Sequence, residues 1–265
     1  MRGKTKVISL AAMLSIFLVA SMVFANGVVD VSKMSLFSST PVEPDSPGQK
    51  VFVDPSTIIK DYINNPGYQV GNTLTIHVNV SGITTPLYSY QVNITWNKAM
   101  LNFTGISSYG DFLARTGSPY GTSRAEKIVS ASNVTGYATI AETILGEYAG
   151  ITGNGRLFTV TFKIIGYGCS TIRIGTGGSL PTLLLDANGA TMTYETGDGY
   201  FKNKLTGDAN GDKSINVLDM GVLSARWTGA PGAQPYSRDV DCNDDGSINV
   251  LDMGIVSANW GRSTP

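Results

Sequence analysis

The chain is short of the residues from which common enzyme sites are built. Its 265 residues include one histidine, His77, and two cysteines, Cys169 and Cys242. It has no HExxH pair, no Cys-x-x-Cys and no glycine-rich phosphate loop. Zinc hydrolysis, dithiol chemistry and P-loop nucleotide binding therefore have no footing in the sequence. Charged residues make up 15% and the formal net charge is −1, so there is no basic footprint and we expect no nucleic-acid partner. Paired-carboxylate glycoside hydrolysis needs two acids about 5–10 Å apart. Asp111, Glu126, Glu142, Glu147, Asp186, Glu195 and Asp198 instead fall singly along the chain. His77 lies mid-strand among alternating polar residues and reads as a surface residue rather than a base. With these constellations missing, we expect no catalysis.

Long apolar runs are also scarce. The one present, VISLAAMLSIFLVASMVFA, follows the basic MRGKTK and ends in Val23-Phe24-Ala25. This reads as a secretory signal peptide, residues 1–25, cut after Ala25. The rival reading is an uncleaved membrane anchor, since the run approaches spanning length. Residues 26–50, with SSTPVEPDSPG, carry no core-forming pattern and read as a linker. Cys169 and Cys242 fall in different candidate domains, and the sequence leaves open one bridge or two unpaired thiols.

What the chain does have is alternation. In TLTIHVNV, Leu74, Ile76, Val78 and Val80 share one face; in YSYQVNITW, Tyr88, Tyr90, Val92, Ile94 and Trp96 do. In LFTVTFKII, Phe158, Val160, Phe162 and Ile164 line up likewise. Period two means strands with one face buried and one wet. Turn signals at Val70-Gly71-Asn72, Gly153-Asn154-Gly155 and Ala187-Asn188-Gly189 separate the runs. Many short strands and plentiful glycine predict an all-β sandwich over 51–204, enough chain for one core. Four Asn-x-Ser/Thr sequons occur, at Asn79, Asn93, Asn102 and Asn133. Asn79 and Asn93 lie on the polar face of their predicted strands, which keeps them available to a glycan. Tyr88, Tyr90 and Trp96 would stack on sugar rings if exposed, but share their face with Val92 and Ile94, which places them toward the core.

Residues 205–265 follow another rule. DANGDKSINVLD, Asp208 to Asp219, and DCNDDGSINVLD, Asp241 to Asp252, each carry oxygen-bearing side chains at EF-hand spacing. In the first loop Asp208, Asn210, Asp212 and Asp219 offer side chains, Ser214 its backbone carbonyl, and Asn216 binds directly or through water. In the second loop the set is Asp241, Asn243, Asp245 and Asp252, with Ser247 and Asn249 in the lesser roles. Hard cations take six to eight oxygens, which is what alternating short carboxylates and amides provide. Two ions of Ca2+ are expected. Position 12 is Asp rather than Glu, and position 6, where the turn favours glycine, is Gly246 in loop two but Lys213 in loop one. Loop one is therefore expected to bind more weakly. Each loop runs into a stretch of helical spacing, SINVLDMGVLSARW and SINVLDMGIVSANW, predicted to be helix until soon after its Trp. A domain this small needs a staple, and calcium would be that staple.

These motifs carry two resemblances. GDANGDKSINVLDM and VDCNDDGSINVLDM resemble the duplicated loop-helix units of a dockerin domain, which docks onto cohesin domains. The resemblance implies a small all-α calcium domain whose partner is a cohesin. Loop positions 10 and 11 help choose that partner in the family; here they are Val217 and Leu218, and Val250 and Leu251, apolar where better-known members carry hydroxyls. The stretches VGNTLTIHVNVSGI, LYSYQVNITWNKAMLNFTGI, GRLFTVTFKIIGYGCSTIRI and LLLDANGATMTYETGDGYF resemble a cohesin domain, a jelly-roll-like sandwich. That implies a dockerin-bearing protein as its partner. The combined expectation is a secreted, non-catalytic adaptor of calcium-dependent assembly. The alternative is a carbohydrate-binding module carried on a dockerin.

Overall fold

A computed structural model describes residues 48–114, 124–145, 149–228 and 234–264. The predicted signal peptide and most of the predicted linker lie outside the described residues, as does Glu147. No helix among the described residues is long and apolar enough to cross a membrane.

Twelve strands come first: β1 (Lys50–Asp54), β2 (Thr57–Lys60), β3 (Thr73–Leu87), β4 (Ser89–Thr95), β5 (Leu101–Tyr109), β6 (Arg124–Ser132), β7 (Tyr137–Ile144), β8 (Ile151–Ile164), β9 (Gly168–Gly175), β10 (Leu183–Leu185), β11 (Glu195–Gly197) and β12 (Gly199–Asn203). Two short helices follow, α1 (Val217–Ala225) and α2 (Val250–Ala258). The strands form a five-stranded sheet in the order β11-β1-β3-β8-β5. A second sheet runs β2-β12-β9-β4-β7-β6, with β10 paired to β4. Most pairings are antiparallel; β1 with β11 and β12 with β2 are parallel.

The alternating residues meet as their period requires. On β3 and β8, Leu74 stands opposite Phe162, Ile76 opposite Val160 and Val78 opposite Phe158, all buried. Tyr90, Val92 and Ile94 of β4 complete the same core from the other sheet. The Trp96 ring meets Phe162 edge-on at 5.0 Å between centroids, and its Nε1 donates to the Leu101 carbonyl at 2.8 Å. Tyr88, Tyr90 and Trp96 are thus core side chains and form no sugar-stacking platform.

Two sequence expectations are corrected. Gly153-Asn154-Gly155 is not a turn but lies inside β8, where the register against β3 shifts twice. The extra residues of those bulges lie on β3, with the glycines opposite them: Gly153 has φ 99°, and a Cβ on Gly155 would strike the Phe112 ring at 2.8 Å. The second correction concerns β4, which is not half wet. Six of its seven residues are buried, including Ser89, Gln91 and Asn93. It lies between β7 on one edge and β9 and β10 on the other.

Candidate functional site

Asn93 therefore leaves the list of accessible sequons. Its side chain donates to Thr139 Oγ1 at 2.9 Å and its backbone N–H to Thr182 Oγ1 at 3.0 Å, both within the buried sheet. Asn79 is half-buried, with Nδ2 toward Asp54 Oδ2 at 3.4 Å; Asn102 is half-buried too. Asn133 is exposed, and its amide brackets the Phe103 backbone, accepting from N at 2.6 Å and donating to O at 3.0 Å. His77 lines a shallow outer groove with Asp54, Asp111 and Arg156, and its Nδ1 pairs with Thr159 Oγ1 at 2.9 Å.

Folding brings together two acids that are far apart in sequence. Glu126 and Glu142 face each other across β6 and β7, and Arg124 pairs with both. Glu142 is enclosed, and the Tyr90 hydroxyl donates to its Oε2 at 2.6 Å. Burial lifts the Glu142 carboxyl from 4.5 to about 7, against the opposing pull of Tyr90 and Arg124. The folded chain then holds this proton more tightly than the unfolded chain does. Its contribution to stability is full below pH 4.5 and is lost as the pH rises to about 7. We expect Glu142→Gln to melt higher than the parent at pH 8 and no differently at pH 4. Thermal scans across that range check this, and parallel curves would refute it.

The C-terminal loops are built from the same few interactions used twice. Asn216 caps α1 by accepting from the Leu218 N–H at 2.8 Å, and Asp219 Oδ2 accepts from the Asn216 N–H at 2.9 Å. Asn249 and Asp252 repeat this capping box on α2. Asp219 Oδ1 accepts from the N–H of Ala209 and of Asn210; Asp208 accepts from those of Gly211 and Lys213. Asp241 and Asp252 make the counterpart bonds in loop two. The two units are exchanged across a pseudo-twofold: Gly261 donates its N–H to Ile215 O at 2.9 Å, and Thr228 donates to Ile248 O at 2.8 Å. Both helices stop at Ala225 and Ala258, before their Trp rather than after it. Their buried positions are Asp219 and Leu223 in α1 and Asp252 and Val256 in α2.

Lys213 does adopt the left-handed backbone, with φ 71°, as Gly246 does at 88°. Sequence reasoning missed the compensating exchange at position 4, where Gly211 has φ 81° and Asp244 φ 59°. Each loop thus holds one non-glycine residue left-handed. Asp tolerates that region better than Lys, and Arg238 grips the Asp244 carboxylate through Nε and Nη2 at 2.7 and 2.6 Å.

The donor set suits a hard cation. Asp208 is 4% exposed, and Asp219, Asp241 and Asp252 are 0% exposed. Burial pushes the Asp208 carboxyl above its ordinary value, and the nearby Asp219 charge adds to this, against Lys204 and two backbone donors. Enclosed carboxylates side by side call for a cation between them, and oxygen ligands select calcium over softer metals. Among the described residues, no three acidic, His or Cys side chains converge as a closed metal cage. The three aspartates of each expected set, Asp208, Asp212 and Asp219, and Asp241, Asp245 and Asp252, are thus not gathered into such a cage, and the amides beside them are paired. Asn210 Nδ2 donates to Asp212 Oδ2 at 2.9 Å, and Asn243 Nδ2 to Asp245 Oδ2 at 2.8 Å. Ser214 and Ser247 donate their N–H to Asp212 and Asp245.

At loop positions 10 and 11, Val217 and Leu218 are 66% and 59% exposed, and Val250 and Leu251 66% and 58%. Comparison with protein families matches residues 62–181 to the cohesin domain and residues 206–259 to the dockerin type I domain. The chain carries a cohesin domain followed by a type I dockerin domain. Both are assembly modules without catalytic activity, and type I dockerins typically bind calcium. No curated protein sequence matches the chain. Among solved structures, it is similar to a type I cohesin–dockerin complex from Clostridium thermocellum, at 12% identity and TM-score 0.43. That match covers 59% of this chain and 99% of the other. It is also similar to a type II cohesin domain from the cellulosome of Acetivibrio cellulolyticus, at 18% identity and TM-score 0.42, covering 58% and 94%. The dockerin domain keeps Val217, Leu218, Val250 and Leu251 exposed. Its cysteine, Cys242, is a free thiol, as is Cys169 of the cohesin domain.

Proposed function

We propose that this chain is a secreted adaptor that works through both modules at once. Its dockerin domain holds two calcium ions and plugs into a cohesin on another protein, while its cohesin domain receives a dockerin-bearing protein. The setting is an extracellular polysaccharide-degrading or cell-surface complex. Asp208, Asn210, Asp212, Ser214, Asn216 and Asp219 would hold the first ion, and Asp241, Asn243, Asp245, Ser247, Asn249 and Asp252 the second. Calcium would tie each loop into one shape and fix the start of the helix after it.

The observation that carries the reading is the matched exposure of two apolar pairs at the first turn of each helix. Single exposed apolar residues are ordinary, but two identical pairs related by the internal repeat make a surface suited to a partner. The reading as a carbohydrate-binding module loses its sugar platform with the burial of Tyr88, Tyr90 and Trp96. The test immobilises the full chain in calcium and passes purified cohesins and purified dockerins over it separately. The expected result is capture from both panels, additive when both are present, and lost on chelation. Capture from one panel alone, or from neither, would overturn the proposal.

A further inference from the structure

We propose that the cohesin domain of this chain is also a docking partner for the chain's own dockerin domain, so that the two form one clasped body. The surface used is the β2–β12 end of the sandwich, together with residues 61, 62 and 167. No tether separates the modules. β12 ends at Asn203, and Leu205 is already buried in the dockerin's cluster.

The first observation is a shared core. Tyr62, 3% exposed, belongs to the hydrophobic cluster of the dockerin domain, with Ile215, Leu223, Ile248 and Val256, and not to that of the sandwich. Its ring stacks on Tyr167, centroids 3.9 Å apart, and its hydroxyl pairs with Thr264. Small domains struggle to bury enough apolar surface alone, and here the neighbouring module supplies part of it.

A ring of polar contacts surrounds this core. Asp61 accepts from Arg262 Nη2 at 2.9 Å and from the Thr206 N–H at 3.1 Å. Lys202 and Lys204 are each 7% exposed. Lys202 Nζ donates to Asp241 O at 2.6 Å, and Lys204 Nζ to Asp239 O at 3.0 Å. Lysine is almost never so enclosed unless partnered, and here both partners are backbone carbonyls of the dockerin. The Tyr200 hydroxyl donates to Asp239 Oδ1 at 2.9 Å. Arg238 lies over the Tyr200 ring at 4.1 Å and reaches Thr57 Oγ1 at 3.0 Å. The clasp leaves the partner face free, because Val217, Leu218, Val250 and Leu251 are not part of it.

Cys169 is a built-in reporter. It is half-buried, stands opposite Lys202 across β9 and β12, and lies within the electrostatic reach of Asp239 of the dockerin. The experiment uses the full chain in calcium. Thiol labelling of Cys169 is followed on a Cys242→Ser background, and calorimetry records the number of unfolding transitions. We expect one cooperative transition and slow labelling in the parent. Arg262→Glu, which places two carboxylates together, and Tyr62→Ala should each speed labelling at least tenfold and split the transition. Tyr62→Phe keeps the stacked ring and should behave as the parent does, which separates an opened clasp from a misfolded sandwich. Two independent transitions in the parent, or labelling unchanged in both disruptive variants, would overturn the proposal. No external partner enters these readouts, so this inference and the proposed function fail separately.

Discussion

A chain carrying Asp at all four of positions 217, 218, 250 and 251 should lose cohesin binding completely and keep its fold. The four side chains are 58–66% exposed and belong to neither hydrophobic cluster, so no core contact is removed. They also occupy the first turn of each helix, where a carboxylate complements the helix dipole and stabilises rather than disturbs. A binding face is another matter, since introducing charge into a dry apolar contact leaves that charge unpaired on association. The repeat adds a sharper expectation. Because the two units are related by a half-turn, the Val217→Asp/Leu218→Asp variant should still bind through the second pair. The Val250→Asp/Leu251→Asp variant should still bind through the first. Titration of each variant against a cohesin, with circular dichroism in calcium as the control, reads this directly. If either double variant alone abolishes binding while folded, the duplication serves calcium and not two-way docking.

Chelating calcium should lower the midpoint of thermal unfolding by on the order of 10 °C. A ligand that binds only the native state contributes about 2.7 kcal/mol at a hundredfold excess over its Kd, and two sites about twice that. In a chain of this size each kcal/mol moves the midpoint by about 2–4 °C. The cause is visible in the loops, where Asp208, Asp219, Asp241 and Asp252 are all buried carboxylates whose charge a bound cation offsets. Loop two should be the tighter site, because its left-handed residue is an Asp held by Arg238 whereas loop one strains Lys213. Calorimetric titration of Asp208→Ala and Asp241→Ala separates the loops. Loss of the tighter site in Asp208→Ala would reverse the order, and a midpoint indifferent to chelator would remove calcium from the account.

The loops were legible because metal spacing and capping are local: each needs about twelve consecutive residues, and both copies print all of them. The inward faces of β3 and β8 were equally open to reading, since strict alternation fixes which face turns inward. β4 misled because alternation reports only the polarity of a residue. Gln91 and Asn93 are polar yet buried, satisfied by Pro181 O and by Thr139, and nothing near them in sequence announces those partners. Gly153-Asn154-Gly155 misled because glycine serves a positive φ and a close approach inside a strand as well as in a turn. The clasp was invisible for a different reason: Tyr62 and Thr264 are 202 positions apart, and nothing beside Lys202 and Lys204 in the sequence marks them for burial.

The clasp also removes the dockerin's own symmetry. Taken alone, a module with a half-turn repeat looks the same to a partner from either side. Fastened to a sandwich at one end, it does not. A cohesin seated by the first pair and one seated by the second would then find the rest of the chain pointing in different directions. Docking by either pair would create the same contacts but two differently shaped assemblies, and each such joint in a larger complex would be a fork in its geometry.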